Sequence, residues 1–411
     1  MAVPRRGAEA ELTMATLLPD APVLDLDLFT DASLQNPFKD YRTIRDAGPA
    51  VRLRRPDVYA IGRFADVQAA LRASDRLISG EGIGFNDGWN SAGRGTNVIQ
   101  TDGPVHARMR TTIMRPLAPA KLREARDGLK QLIVKRVDGL LGMGQFNAMK
   151  ALASFLPVEA VSHLVGLPES GRERMLDWAA ATFNLIGPDV DEKDVNVWAE
   201  ARAFMASLTP ANVRTGSWAG DLFAAVDSGK LSMVEAMSAI SAYVFPSLDT
   251  TILAKGHLLH DLATHPEQWT QLKERPDKVP AAVLESVRRN SVLRWFGRVA
   301  TEDYDAGGTI IPKGSRVMLL YGCANRDERR YENPDRFDID RDARDQLAWG
   351  TGPHMCAGMH LARLEMEVML EALIEADATL IAGTPVAGVN RGLFGYIDLP
   401  LRLEGKRGGT S

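Results

Sequence analysis

The chain has 411 residues, of which 45% are hydrophobic and 25% are charged, as in ordinary globular proteins. A net charge of −4 argues against nucleic acid as the main partner, because binding phosphates needs a positive field. No apolar stretch of about 18 residues is free of proline or charge, so no membrane span is predicted. We expect residues 1–20 to be a disordered tail without a signal peptide, and residues 21–411 to form one domain of a soluble cytoplasmic protein.

Helical periodicity dominates the chain, and strand-like segments are few and short. The predicted helices are bounded by prolines and caps and cover 121–143, 158–164, 232–264, 266–273, 280–289 and 359–375. The predicted strands cover 50–53, 58–61, 298–300 and 317–320. Gly307 and Gly308 predict a hairpin turn. The chain is therefore predicted to be mainly α with a small β region, an α+β layout.

The two cysteines, Cys323 and Cys356, are too few for a disulfide framework or a cysteine-rich zinc site. Gly350 and Gly352 precede Cys356, and Gly358 and a helical segment follow it. Glycines let backbone N–H groups approach the sulfur, and a helix N-terminus adds a positive dipole, so this pattern favours a metal-binding thiolate. The alternative is a buried thiol in a turn, the commoner fate of a lone cysteine. Cys323 has no such glycines and is predicted to be a small buried hydrophobic residue.

Residues 349–358 resemble the haem-binding loop of cytochromes P450, Phe-Gly-x-Gly-x-His-x-Cys-x-Gly. Trp349 stands where the family has Phe, and the other specified positions match. The resemblance implies the P450 fold, a triangular prism of helices with haem b between the central (I) and proximal (L) helices. It implies a haem-thiolate monooxygenase in which Cys356 ligates the iron and Trp349, Gly350 and Gly358 contact the haem.

Glu285 and Arg288 form an E-x-x-R pair on one helix face, which alone would be an ordinary surface ion pair. In the P450 family this pair joins a later arginine in a buried triad behind the haem. The resemblance assigns that place to Arg336, in an Asn-Pro-Asp-Arg-Phe run. We expect all three residues to have a structural role.

Four further residues resemble the family's contacts to the haem propionates. They are His106, Arg110, Arg298 and His354. Arginine suits this role because its planar fork binds a carboxylate with two hydrogen bonds. Each residue alone would be a surface charge, but all four fall at family positions.

Asp249 and Thr250 resemble the oxygen-activation segment of the family's central helix. The resemblance implies that Thr250 hydrogen-bonds dioxygen and that Asp249 relays protons. The alternative is a threonine that bonds the carbonyl four residues earlier in an ordinary helix. Pro246 and Ser247 replace the family's two small residues, and proline predicts a kink near Ala242.

Substrate-contacting segments transfer least between members of a family. We predict a compact, aromatic-rich pocket lined by Ile83, Phe85, Phe183, Ile186, Ala242, Phe245, Leu293, Arg294, Phe296 and Leu393. For each phenylalanine, core packing is the alternative. A weaker resemblance to P450s that demethylate or hydroxylate benzoates suggests a small aromatic substrate. Glu81 stands where those relatives carry an arginine for the carboxylate, so either Arg294 supplies the cation or the substrate is neutral.

No flavin or iron–sulfur motif is visible, so electrons are expected from a separate reductase and ferredoxin. We predict that a [2Fe-2S]-type ferredoxin docks on the proximal face through Arg108, Arg110, Arg344 and Arg363. A solvated arginine face is the alternative for each of them.

Two other functions are compatible with the same motifs. One is a haem-thiolate enzyme that uses peroxide, which would not need Asp249 and Thr250 as a proton relay. The other is a haem-binding scaffold or sensor, which the complete set of ligand, propionate and relay residues argues against.

Overall fold

The structure is a computed structural model that describes residues 20–170 and 172–405. The predicted tail, apart from Asp20, lies outside these residues. The prediction that residues 21–411 form one domain stays a prediction.

Helices make up most of the described chain. They are α1 (Asp31–Gln35), α2 (Phe38–Ala47), α3 (Phe64–Arg72), α4 (Asp87–Gly93), α5 (Gly103–Met114), α6 (Pro119–Leu140), α7 (Phe155–Val161), α8 (Met175–Asn184), α9 (Glu192–Ala206), α10 (Trp218–Asp227), α11 (Met233–Thr264), α12 (Pro266–Glu274), α13 (Val279–Arg289), α14 (Tyr321–Ala324) and α15 (Met359–Glu375). The predicted mainly α chain with a small β region is confirmed.

The strands form one larger sheet and three small ones. They are β1 (Val23–Asp27), β2 (Ala50–Arg55), β3 (Asp57–Ile61), β4 (Leu77–Ile78), β5 (Gln145–Asn147), β6 (Trp295–Ala300), β7 (Tyr304–Ala306), β8 (Thr309–Ile311), β9 (Arg316–Leu320), β10 (Thr379–Ala382), β11 (Val386–Ala387), β12 (Tyr396–Asp398) and β13 (Pro400–Glu404). The six-stranded sheet has the order β1-β2-β3-β9-β6-β4. A second sheet has the order β10-β13-β5, and β7–β8 and β11–β12 are hairpin-like pairs.

Every predicted helix and strand is present, with boundaries that differ by a few residues. The helix predicted over 359–375 has the same bounds as α15. Gly307 and Gly308 join β7 to β8 with φ angles of 60° and 93°. Positive φ at both central residues is what a tight two-residue hairpin turn requires, so that turn is confirmed.

The central helix α11 begins with a capping box, in which Ser232 and Glu235 satisfy each other's backbone N–H groups. The helix continues through Pro246 to Thr264. A proline lacks the N–H that would bond the carbonyl of Ala242. Burial on many sides explains the continuity, because tertiary packing contributes most of a helix's stability in proteins. The kink near Ala242 stays a prediction.

A buried ion pair joins the two helices that resemble the central and proximal helices of the family. Lys255 of α11 donates to Glu365 of α15 at 2.8 Å, and both side chains are almost inaccessible. Desolvation lowers the pKa of Lys255 and raises that of Glu365. Such a pair fixes how two helices lie against each other more than it stabilises them.

The predicted triad is corrected in its third member. Arg288 binds both oxygens of Glu285, at 2.7 and 2.9 Å, and both residues are buried. The second arginine on Glu285 is Arg341, at 3.1 Å, whereas the side chain of Arg336 is exposed. The backbone of Arg336 lies near Arg288, and the chain turns through Ile339 before Arg341 points inward. The motif therefore located the right loop, but not the inward-facing arginine.

Candidate active site

A cavity of about 990 Å³ lies between α4, α5, α8, α9, α11, β6 and the cysteine loop 349–358. Among the described residues, none of its lining side chains is Asp or Glu. Seven of the predicted pocket residues line it: Ile83, Phe183, Ile186, Ala242, Phe245, Leu293 and Phe296. The walls are therefore largely apolar and aromatic.

Three predicted pocket residues do not line the cavity. Phe85 stacks on Trp295 with ring centroids 4.5 Å apart. Leu393 is buried in the core and bridges to Leu293. Arg294 is buried and donates to the carbonyls of Leu34 and Ser33, at 2.7 and 2.9 Å. Arg294 is thus a structural residue that binds carbonyls at the end of α1 and lies outside the cavity wall.

The cysteine loop holds the sulfur at the start of α15. The N–H of Cys356 donates to the carbonyl of Trp349 at 2.8 Å. Desolvation by the surrounding protein raises the pKa of the Cys356 thiol, and the backbone N–H of Gly358, the charge of Arg110 and the backbone N–H of Met359 partly oppose that rise. Gly352 has φ of 74°, and a Cβ there would lie 2.8 Å from the carbonyl of Leu71. Only glycine fits that approach, which explains one of the motif's fixed positions.

Beside the cysteine, the four predicted propionate residues all line the cavity. The rings of His106 and His354 are 4.2 Å apart, and His354 Nε2 lies 3.4 Å from Asp102 Oδ1. Arg298 is buried and donates to the carbonyl of Gly297 at 2.7 Å. These groups form a positive and hydrogen-bonding end to an otherwise apolar cavity.

The atoms of this end fit haem b. His106 Nε2 is buried without a hydrogen-bond partner among the described residues, and such an atom is costly unless a ligand meets it. Burial, and then the charges of His354 and Arg110, lower the pKa of His106 to about 4. An anionic group at this end could pair with the charged and polar side chains, and an apolar macrocycle could pack against Trp349. The sulfur of Cys356 supplies the ligand type that such a cofactor takes.

Thr250 lines the cavity, and its hydroxyl donates to the carbonyl of Pro246 at 2.5 Å. This is the ordinary helical bond that was the alternative for Thr250, and a hydroxyl that donates in this way can still accept a hydrogen bond. Asp249 does not line the cavity. Burial, with repulsion from Asp177 of α8, raises the pKa of Asp249 to about 7. No cation among the described residues pairs with it.

Three arginines of the predicted docking face are bound to nearby acids. Arg108 pairs with Glu235, Arg344 with Asp342 at 2.6 Å, and Arg363 with Glu367 at 3.4 Å. The fourth, Arg110, lines the cavity and donates to the carbonyl of Met355. The charges of the three arginines that are paired with acids are thus partly neutralised, which the sequence did not indicate.

Glu81 is also paired. It lies outside the cavity lining, and Arg94 binds it at 3.0 Å. Glu81 therefore is not part of the cavity wall.

Sequence reasoning missed Asp102, Trp198, Arg202 and Arg341. Asp102 positions His354 and accepts from the N–H groups of Ser79 and Gly80, at 3.1 and 2.6 Å. Trp198 and Arg202 line the cavity from α9. No local motif marks α9, so only the fold could place them there.

The comparisons with known proteins agree with this geometry. The family model described as Cytochrome P450 matches residues 219–376. The chain is 32% identical over 392 residues to cytochrome P450 CYP199A2 of Rhodopseudomonas palustris, covering 93% of this chain and 94% of that protein. It is 30% identical to the beta-dihydromenaquinone-9 omega-hydroxylase of Mycobacterium tuberculosis, covering 91% and 78%.

Solved structures give the same result. Cytochrome P450 CYP109Q5 from Chondromyces apiculatus superposes with a TM-score of 0.79 at 27% identity, over 93% of this chain and 99% of that one. Epothilone D-bound cytochrome P450epoK gives 0.83 at 25% identity, over 93% and 100%. The chain belongs to the cytochrome P450 family. It is a haem-thiolate monooxygenase, and its cofactor is haem b.

In the described part of the chain, no helix combines the length and the apolar character needed to cross a bilayer.

Proposed function

We propose that this enzyme inserts one oxygen atom of O2 into a small aromatic substrate, by hydroxylation or O-demethylation. The cytoplasm is the proposed location, because Cys323 and Cys356 are unpaired thiols. The observation that carries the reaction is one cavity that contains Cys356, Thr250 and an apolar aromatic wall. When bound, haem b supplies the activation of dioxygen and the oxidising power.

The cysteine side holds the cofactor. Cys356 is the proposed iron ligand, and Trp349, Gly350 and Gly358 line the cavity around it. His106, Arg110, Arg298 and His354 are the proposed partners of the propionates. Asp102 acts through His354, whose ring it holds in place.

Protons reach the reacting oxygen through Asp249 and Thr250 in this proposal. A carboxyl with a pKa of about 7 exchanges protons readily at neutral pH, which suits a relay. Asp249 faces α8, where Asp177 is exposed, and Thr250 faces the cavity. The adjacent positions on α11 thus give a route from solvent towards the substrate without opening the cavity to water.

The aromatic wall supports the proposed substrate class. Phe183, Phe245 and Phe296 line the cavity from α8, α11 and β6. Rings on several sides favour a flat aromatic guest through offset and edge contacts.

Electrons come from a separate [2Fe-2S]-type ferredoxin in this proposal. Arg72 adds to the docking face, because its Cα lies 3.4 Å from the Cβ position of Gly352 in the cysteine loop. Its side chain is exposed, and no acid among the described residues pairs with it. Arg108, Arg344 and Arg363 contribute less, since each is already paired.

Reversing this charge tests the docking face. We expect Arg72→Glu to slow turnover with NADH, reductase and ferredoxin about tenfold at low salt, since interface charges act mainly on the association rate. The exposed Lys193 of α9 provides the control: Lys193→Glu should leave turnover unchanged. Equal rates for both variants would reject docking at the cysteine loop.

Thr250→Ala tests the reaction type. We expect NADH consumption to continue while product formed per NADH falls several-fold, because protons no longer reach the oxygen in step with electrons. Coupling equal to wild type would contradict the relay. Turnover with peroxide alone, insensitive to Thr250→Ala, would instead favour the peroxide-using enzyme.

A further inference from the structure

Arg202 is a cation in the cavity that neither the cysteine end nor the fold uses. It lies on α9 and lines the cavity together with Trp198, Ala199, Ala203 and Ala206. Its guanidinium lies over the Trp198 ring, 4.8 Å from the centroid. This i, i+4 contact holds the guanidinium against an aromatic face while its N–H groups stay available.

No acid neutralises Arg202 within the described residues. The positions three and four residues away on α9 are Ala199, Trp198, Met205 and Ala206, so no carboxylate can reach it along the helix. By contrast, Arg174, which directly precedes α8, does have an acidic partner, because it binds Glu200 of α9 at 2.9 Å.

The other cavity cations have partners or lie at the cysteine end. Arg110 donates to the carbonyl of Met355, and Arg298 donates to the carbonyl of Gly297. Both lie beside the His106 and His354 rings at the end that suits the propionates. None of the described lining residues is acidic, so Arg202, which is exposed to solvent where it lines the cavity, has no counter-charge there.

The cavity is long enough to separate an anchored group from the cysteine. Val234 and Thr250 of α11 both line it, and 16 residues of α-helix span about 24 Å. A substrate therefore has room to place a polar group at Arg202 and an apolar body elsewhere in the cavity.

We propose that Arg202 binds the carboxylate of the substrate, which is thus an acid with an apolar, aromatic body oxidised away from its carboxylate. A guanidinium matches a carboxylate through two parallel hydrogen bonds. The proposal rests on the monooxygenase function above and assigns its substrate class. The sequence had pointed to Arg294 as the source of the missing cation, but the structure uses Arg294 inside the fold.

Spectral titration of the purified holoenzyme tests this directly. The probes are 4-methoxybenzoate, 4-phenylbenzoate and dodecanoate, each beside its neutral amide, with the Soret shift as readout. We expect wild type to bind at least one of the two benzoates about tenfold more tightly than its amide, with the preference falling at high salt, whereas a preference for dodecanoate alone would contradict the aromatic body.

Arg202→Gln should abolish that preference and leave amide binding unchanged, whereas Arg202→Lys keeps part of it because the charge remains but the fork is lost. Lys193→Gln removes the same charge from α9 outside the cavity, so its preference should equal wild type. Retained preference in Arg202→Gln, or no acid preferred by wild type, overturns the proposal.

The failure of this proposal and that of the monooxygenase function give different results. A reduced, carbon monoxide-bound spectrum typical of thiolate-ligated haem, combined with oxidation of neutral ligands only, would contradict the carboxylate assignment alone. Absence of that spectrum would contradict the monooxygenase function on which the carboxylate assignment rests.

Discussion

Two regions of the molecule treat charged side chains in opposite ways. Behind the cysteine loop, buried charges are paired: Arg288 and Arg341 bind Glu285, and Lys255 binds Glu365. On the substrate side, the partly buried Asp249 has no cation and the exposed Arg202 has no acid among the described residues. Paired charges hold helices in place, whereas unpaired ones remain free to exchange protons or bind a ligand. The difference separates the residues of the framework from those proposed to act in the reaction.

The largest effect on stability is expected when a buried charge of the framework loses its partner. Lys255→Met leaves Glu365 buried without its cation, and we expect a loss of about 3–5 kcal/mol in the free energy of unfolding. The double change Lys255→Met with Glu365→Leu should recover most of it, since apolar side chains of similar volume need no partner. Urea unfolding followed by circular dichroism measures both. A double variant as unstable as the single one would mean that the pair itself stabilises the fold.

A smaller effect is expected at Glu285, which keeps Arg288 when the second arginine is removed. Arg341→Ala should cost about 2 kcal/mol, because one hydrogen bond to a buried carboxylate is lost. Arg336→Ala is the matched control and should change stability by less than about 0.5 kcal/mol, as for most exposed positions. Chemical unfolding midpoints measure both variants. If Arg336→Ala were the more destabilised of the two, Arg336 rather than Arg341 would be the third member of the triad.

Short-range patterns made the framework predictable. Helical periodicity located α11 and α15, and the glycine spacing around Cys356 found the loop that holds the sulfur. The sequence could not say that Arg341, five residues beyond Arg336, points inward, because that depends on how the chain turns between them.

The substrate side was less predictable for the same reason. Whether Phe85, Arg294 or Leu393 faces the cavity depends on small rotations of their elements, and all three are packed elsewhere. Arg202 carries no motif, and only the position of α9 over the cavity reveals it. Tertiary contacts, rather than local pattern, decide these positions.

A third effect concerns pH. The pKa of Asp249 is raised from 3.8 to about 7, so the folded protein holds a proton there that the unfolded chain releases. The stability from this group is therefore complete below pH 4 and is lost as the pH rises towards 7, by up to about 1.4 kcal/mol per pH unit. Asp249→Asn should remove this slope between pH 4 and 7 in unfolding measurements. A wild-type slope that Asp249→Asn does not alter would show that Asp249 is ionised in the folded protein.

The central claim is that Cys356 supplies the thiolate of a haem enzyme, and the reduced, carbon monoxide-bound absorption spectrum tests it most directly. Wild type should give the red-shifted Soret band of thiolate ligation, and Cys356→His should bind haem but give the band of an imidazole-ligated protein. Cys323→Ala should keep the wild-type band, since that thiol is buried beside Tyr41 away from the cavity. An unshifted band in wild type, or a red-shifted one in Cys356→His, would contradict the assignment.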